Sequence, residues 1–164
     1  MDVREILPSE WPEILAAWPE DPSAIAALYA EGSRKRTVLI AWNGSAPQGY
    51  GVVQWEGPVA PNARAAFPHA IELNHLWVFD SARGKGAGTA LIRAAEQAAA
   101  SRGHTQVLVR VGEDNPDARR LYERLGYTAT GVWDTTTYMF RGDDGSPTQA
   151  TETDQTLVKH LPLS

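Results

Sequence analysis

Apolar residues along this chain recur with two different periods, and the switches between them outline the fold. "VREIL" at 3–7 reads as a short strand. "PSEWPEILAAW" follows as a helix with Ser9 in the capping position and Pro12 in its early turns. "EDPSAIAALYAEG" repeats that grammar, with Asp21 as cap, Pro22 at the first helical position and Gly32 just past the end. Val38 to Trp42 and Tyr50 to Trp55 are β-branched and aromatic runs, and the polar, glycine-containing segment between them predicts a hairpin. "GPVAPNARAAFP" reads as a loop and "HAIELNHLWVF" as a strand. In "TALIRAAEQAAASRG", Leu91, Ala94, Ala95 and Ala98 fall at helical spacing and Gly103 marks the stop.

"TQVLVRV" is a buried strand, and "NPDARRLYERLG" a helix with Asn115 at the cap, Pro116 at the first position and Gly126 at the end. "YTATGVWDTTTYMF" is strand-like, residues 142–154 read as a polar, mobile loop, and "QTLVKHLPL" is a last strand. The strand–helix–strand unit in the middle implies parallel pairing there, and the hairpins imply a mixed sheet. The fold class is therefore α/β or α+β around one central sheet. With 164 residues the chain makes one domain spanning 1–164.

Composition narrows the chemistry. There is no cysteine, which removes disulfides, thiolate metal sites and a cysteine acyl-enzyme. The four histidines, His69, His75, His104 and His160, lack metal-ligand spacing, so no metal is expected. The net charge of −5 argues against nucleic acid or an anionic membrane as the main partner. No apolar run reaches the roughly 20 residues of a membrane span, and no signal segment is visible, so a cytoplasmic location is expected.

The stretch "VFDSARGKGAGTAL", residues 78–91, carries the strongest chemical signal. Three glycines, Gly84, Gly86 and Gly88, precede a helix, and glycine is costly to order unless its bare backbone is needed. A dinucleotide fingerprint fails, because the sixth residue from Gly84 is Thr89 and from Gly86 is Leu91. A P-loop fails because Gly86, not Ser or Thr, follows Lys85. What remains is an anion cradle: unpartnered amides at a helix N-terminus, made approachable by glycine and flanked by Arg83 and Lys85. The competing reading is a tight strand-to-helix turn with no ligand.

That stretch resembles the acetyl-CoA-binding segment of the GCN5-related N-acetyltransferases (GNAT), whose signature of Gln or Arg, two residues, Gly, one residue, Gly or Ala is met by Arg83, Gly86 and Gly88. "NPDARRLYERLGY" resembles the family's second cofactor segment, with Asn115, Ala118, Tyr122 and an "LGY" ending at Tyr127. The resemblance covers Ile71 to Tyr127. It implies a mixed, mostly antiparallel sheet of about six to seven strands with a splayed parallel pair, flanked by about four helices. It also implies transfer of an acetyl group from acetyl-CoA to a primary amine, directly and in a ternary complex.

By the same resemblance, the amides of Arg83, Gly84, Lys85, Gly86, Ala87, Gly88 and Thr89 hold the pyrophosphate. The main chain of Leu76, Trp77 and Val78 runs beside the pantetheine arm, with the Val78 amide polarising the thioester carbonyl. Asn115 and Ala118 contact the cofactor. Arg119 is either a phosphate contact or part of a solvated helix face. Tyr122 is the general acid toward the departing thiolate, against a reading as a core aromatic.

For the base, strand alternation puts Glu72, Asn74, Leu76 and Val78 on one face if no bulge intervenes, aiming Glu72 at the acetyl group. A carboxylate in an apolar strand needs a partner or a function, and a salt bridge is the competing reading. His75 or His69 replaces Glu72 if the strand bulges. Trp55, Asn74 and Trp133 are candidates for the acceptor groove, and a small-molecule acceptor is preferred over a protein tail. A homodimer is an open expectation. The alternative function is a catalytically silent acyl-CoA-binding sensor or partner module.

Overall fold

A computed structural model describes residues 1–30 and 35–162, with the side chains of 29 and 30 left aside. Gly32 and Leu163, which the sequence reading placed at a helix stop and at the end of the last strand, lie outside the described residues. Seven strands, β1 (Asp2–Glu5), β2 (Arg36–Asn43), β3 (Ala46–Gln54), β4 (Ile71–Val78), β5 (Gln106–Gly112), β6 (Thr128–Arg141) and β7 (Pro147–His160), form one sheet. Its order is β1-β2-β3-β4-β5-β7-β6. Every pairing is antiparallel except β4 with β5. Among the described residues five α-helices accompany it: α1 (Trp11–Ala17), α2 (Ser23–Ala30), α3 (Pro61–Ala66), α4 (Ala87–Ser101) and α5 (Pro116–Arg124).

The layers follow from alternation along the strands. Leu39, Val53, Ile71, Leu73, Val107, Val109 and Leu157 face α4 and α5, where they meet Ala87, Leu91, Ile92, Ala95, Ala99, Tyr122 and Leu125. Full burial of Leu91 and Ile92 stabilises by about 1.5–3 kcal/mol each. Val38, Ile40, Trp42 and Val52 point the other way, onto Ile14 of α1 and Ile25 of α2. Leu108 and Val158 meet Ala70 and Phe67 in a smaller cluster. Small residues at 87, 95 and 99 let α4 lie close to the sheet, which brings its N-terminus to the end of β4.

Most punctuation behaves as its chemistry dictates. Asp21 accepts from the Ser23 amide at 3.0 Å, and Asn115 accepts from the Ala118 amide at 3.2 Å at the start of α5. Gly103 and Gly126 close α4 and α5 with φ of 81° and 100°, a conformation that disfavours a Cβ.

Three expectations are corrected. Ser9 caps nothing, because Pro8–Glu10 forms a 3-10 turn that runs straight into α1. The 57–68 segment is not all loop: Pro61–Ala66 is helical, and its first amides are held from a distance in sequence. Asp134, on β6 and almost fully buried, accepts from Asn62 N at 2.8 Å and Ala63 N at 3.0 Å. The 142–154 segment is not one loop either. β7 begins at Pro147 and pairs with β6 as far as Arg141↔Pro147, leaving a turn of residues 142–146. Threonine pairs across this hairpin, such as Thr135 with Thr153 at 3.0 Å, show why a polar sequence can still be strand. No helix among the described residues is long and apolar enough to cross a membrane.

Asp134→Ala removes a charged acceptor shared by two amides, so unfolding in urea should show a loss of about 2 kcal/mol with an unchanged m-value.

Candidate active site

The β4–β5 pairing lasts for two register positions, Ile71↔Val107 and Glu72↔Leu108, and then stops. Beyond it the two strands part around a cleft of about 640 Å³. Its walls are Glu72–Leu76 of β4, Arg110–Asn115 from β5 into the cap of α5, Ala118, Leu121 and Tyr122 of α5, and 151–154 of β7.

A bulge decides which side chains enter it. The β3–β4 register shifts between Tyr50 and Val52, and His75, opposite the shift, has φ of 51°, unusual for a residue with a Cβ. Before the bulge, Glu72 pairs with Gln54 and Asn74 with Val52, on the face turned away from α4. After it, Leu76 and Val78 pack toward α4 and α5, while Trp77, opposite Tyr50, takes the face of Glu72 and Asn74. The expectation of one face shared by Glu72, Asn74, Leu76 and Val78 is thus corrected, because the extra residue inverts the alternation. The cleft runs through the sheet: apolar on the helix side (Leu73, Leu76, Val111, Leu121), polar on the other (Glu72, Asn74, Arg110, Asp154).

On the polar side, Glu72 is 1% exposed and its Oε1 accepts from Arg110 Nε at 3.0 Å. Arg110 also reaches Asp154 at 3.6 Å. Glu72 Oε2 and Asn74 Oδ1 are buried with no hydrogen-bond partner among the described residues. Burial pushes the Glu72 carboxyl above its ordinary range, against the pull of Arg110 and, less strongly, of the adjacent Asn74 side chain. Asp154 is raised as well, first by burial. The salt-bridge reading of Glu72 is therefore present in the structure, but it occupies only one of the two carboxylate oxygens.

Tyr122, on the helix side, is buried, edge-on to Tyr127 at 6.0 Å, and desolvation raises its phenol to about 12. It lines the cleft, whereas Tyr127 donates to Glu96 at 2.8 Å inside the core.

The glycine loop lies beyond the cleft at the N-terminus of α4. Gly84 and Gly86 have φ of 75° and 89°, and a Cβ on either would point into open space. Their glycine identity thus serves the turn and leaves the loop's outer surface bare. Gly88 has ordinary φ, and its Cβ would touch Val78 and Leu121 at 3.6–3.7 Å. Backbone donation outside the regular elements stops at Arg83 N and resumes at Ala90 N, so the amides of residues 84–89 have no protein acceptor among the described residues. Arg83 Nε donates to Val78 O at 3.3 Å and Lys85 Nζ to Ser81 O at 3.3 Å, folding both cations back along the loop. Phe79 N donates to Gln48 O of β3 at 3.0 Å. Amides alternate in direction along a strand, so that of Val78 turns away from β3 toward the gap.

Other candidates fall elsewhere. Trp55 donates to Thr37 Oγ1 and stacks under Arg102 and beside His104 at the far end of α4, away from the cleft. Trp133 is half exposed next to α3, where its carbonyl accepts from Asn62, and it does not line the cleft. Trp77 donates to Glu20 at 3.1 Å, on the face of Glu72 and Asn74 rather than the helix side. Arg119 is held by Glu123 at 2.8 Å and Gln155 at 2.7 Å, which favours its structural reading. His69 is not among the lining residues, while His75 is. Arg110 and Asp154 escaped the sequence reading. The signal for Arg110 was a lone charge inside "TQVLVRV"; Asp154 had none.

The acetyltransferase (GNAT) family model matches residues 1–127. Three solved structures share the fold. A protein of Streptococcus mutans UA159 has a TM-score of 0.66 at 18% identity, covering 98% of this chain and 99% of that one. Ribosomal-protein-alanine N-acetyltransferase from Brucella melitensis has 0.66 at 20%, covering 98% and 100%. An aminoglycoside 6'-N-acetyltransferase complexed with coenzyme A has 0.61 at 18%, covering 99% and 98%. No curated protein sequence matches the chain.

Arg110→Met leaves Glu72 buried without its counter-ion, so a carboxyl-carbon NMR titration should find Glu72 shifted further upward. A folded-state value raised above the unfolded one means the variant takes up a proton on folding at pH values between the two. Its deficit, about 3 kcal/mol at neutral pH, should therefore be full above that value and shrink as pH falls through it.

Proposed function

The chain belongs to the acetyltransferase (GNAT) family, whose members use acetyl-CoA, and we propose that it moves the acetyl group from acetyl-CoA to a primary amine of a small molecule by direct transfer in a ternary complex. The observation that carries this reading is the run of unpartnered amides from 84 to 89 at the N-terminus of α4, beside the parted strands. Those amides and the positive end of the helix suit a diphosphate. The apolar half of the cleft, walled by Leu73, Leu76, Val111 and Leu121, suits a pantetheine arm, with Asn115 and Ala118 at its α5 wall.

The chain's own groups divide the reaction between the two faces. The Val78 amide, turned into the gap, is the donor for the thioester carbonyl oxygen as it gains charge. Glu72 Oε2, directly or through a water, takes the proton that the incoming ammonium must lose. The nitrogen then forms its bond to the acetyl carbon, and as the carbon–sulfur bond breaks it sheds its second proton to water at the open mouth of the cleft, from which Tyr122 is later reprotonated. Tyr122, neutral at pH 7 like any phenol and kept so by burial, which raises it to about 12, gives its proton to the departing sulfur. His75, on the bulge, is the other candidate base within the cleft wall.

Calorimetry with acetyl-CoA should give micromolar binding, about −8 kcal/mol. Gly86→Glu should abolish it by placing a carboxylate where the diphosphate sits. Gly103→Glu carries comparable backbone strain, with φ of 81° and open space, at the opposite end of α4, and should bind normally. If Gly86→Glu also bound normally, the assignment would fall.

With an acceptor found by an amine screen, Tyr122→Phe should lower kcat about 10²-fold. The rate should rise with pH through an apparent value above the ordinary glutamate range, since Glu72 acts only when deprotonated and burial raises it. Glu72→Gln should erase that limb, and an unchanged profile would move the base elsewhere.

A further inference from the structure

We infer that the amine acceptor carries at least two positive charges: one nitrogen reacts at Glu72 and Asn74, and a second ammonium is held by the β7 carboxylates Asp154 and Glu152. This rests on the transferase reading above and adds the substrate's charge pattern.

The polar mouth of the cleft is strongly one-sided. Glu72, Glu113, Asp114, Glu152 and Asp154 line it against a single cation among the described residues, Arg110. Arg110 is already committed, bonded to Glu72 Oε1 at 3.0 Å and within 3.6 Å of Asp154. It therefore offers little to an acceptor's carboxylate, and four negative charges remain over after it is counted. Acidic side chains alone could be a solvated rim. What marks this rim as a binding site is Glu72, a cleft-lining side chain only 1% exposed, whose Oε2 finds no well-formed hydrogen bond among the described residues and has only the Asn74 side chain close beside it. Asn74 Oδ1 beside it is buried and unpartnered too. Two buried acceptor oxygens without a well-formed hydrogen bond are complementary to a group that only donates, and an ammonium is such a group.

Register fixes where a second charge would go. Arg110 pairs with Thr156 and Gly112 with Asp154, so alternation puts Asp154 and Glu152 on the same face as Arg110 and Glu72, about 7 Å apart along β7. They continue the acidic track outward from Glu72. Among the described residues Glu152 holds only the Tyr138 hydroxyl, at 3.0 Å, on an exposed stretch of hairpin, leaving its carboxylate open to a flexible cation.

Calorimetry of the full chain with α,ω-diaminoalkanes of three to eight carbons, butylamine and 4-aminobutyrate tests this without turnover. The best diamine should bind at least 10-fold tighter than butylamine, and 4-aminobutyrate weakest. Glu152→Gln, which keeps an acceptor for Tyr138, should weaken the diamine at least 5-fold. Asp143→Asn, at the hairpin tip outside the cleft, should not. Equal binding of butylamine, tighter binding of 4-aminobutyrate, or equal losses in the two variants would overturn the inference, the last by showing only diffuse attraction to an acidic surface. Failure of the transferase reading looks different: acetyl-CoA would not bind, or no CoA would be released, while diamine binding persisted.

Discussion

A parallel strand pair normally continues until one strand ends, since every unpaired amide facing a neighbour is costly if buried. Here β4 and β5 bond at two positions and then diverge while both strands continue. The unsatisfied edges that result face a cleft instead of each other, and almost everything of chemical interest in the molecule is arranged around that divergence. α4 leaves the end of β4 on one side of it, α5 follows β5 on the other, and β7 closes the polar mouth.

The divergence has a local partner in the bulge at His75. One extra residue bends β4 and inverts its alternation, so the strand serves two environments in succession. Without it, Glu72 and Leu76 would lie on one face, and a carboxylate and an apolar cofactor wall would compete for it. With it, the apolar wall faces the helices and the carboxylate faces the opposite side. The proposed chemistry, with an acyl donor from the helix side and an amine from the other, depends on this inversion.

Charge is handled by the same geometry. Burial makes ionisation of Glu72 unfavourable, and Arg110 offsets part of that cost without consuming the second oxygen. In the glycine loop, Arg83 and Lys85 bond neighbouring carbonyls and leave the amides themselves bare. Both sites keep their best polar groups unspent, whereas Tyr127, Glu96 and Lys159 form a fully partnered set in the core.

Local chemistry was readable from the chain alone: the glycine loop before α4, the Asn115–Pro116 start and Gly126 stop of α5, the seven strands and a parallel pair at their centre. These depend on residues close in sequence, where backbone preference and periodicity act directly. What stayed hidden depended on partners far away. α3 is helical with Asp134 holding its first amides from β6, seventy-odd residues on. Residues 147–154 are strand because β6 lies opposite them, though their composition reads as loop. Trp55 went to the far end of α4 because Arg102 and Thr37 meet it there. The face of each β4 residue was settled by a bulge against β3, and the partner of Glu72 by its neighbour two positions along β5. Alternation carries no record of an inserted residue, and a lone charge in a strand carries no record of which strand will lie beside it; only the packed sheet supplies both.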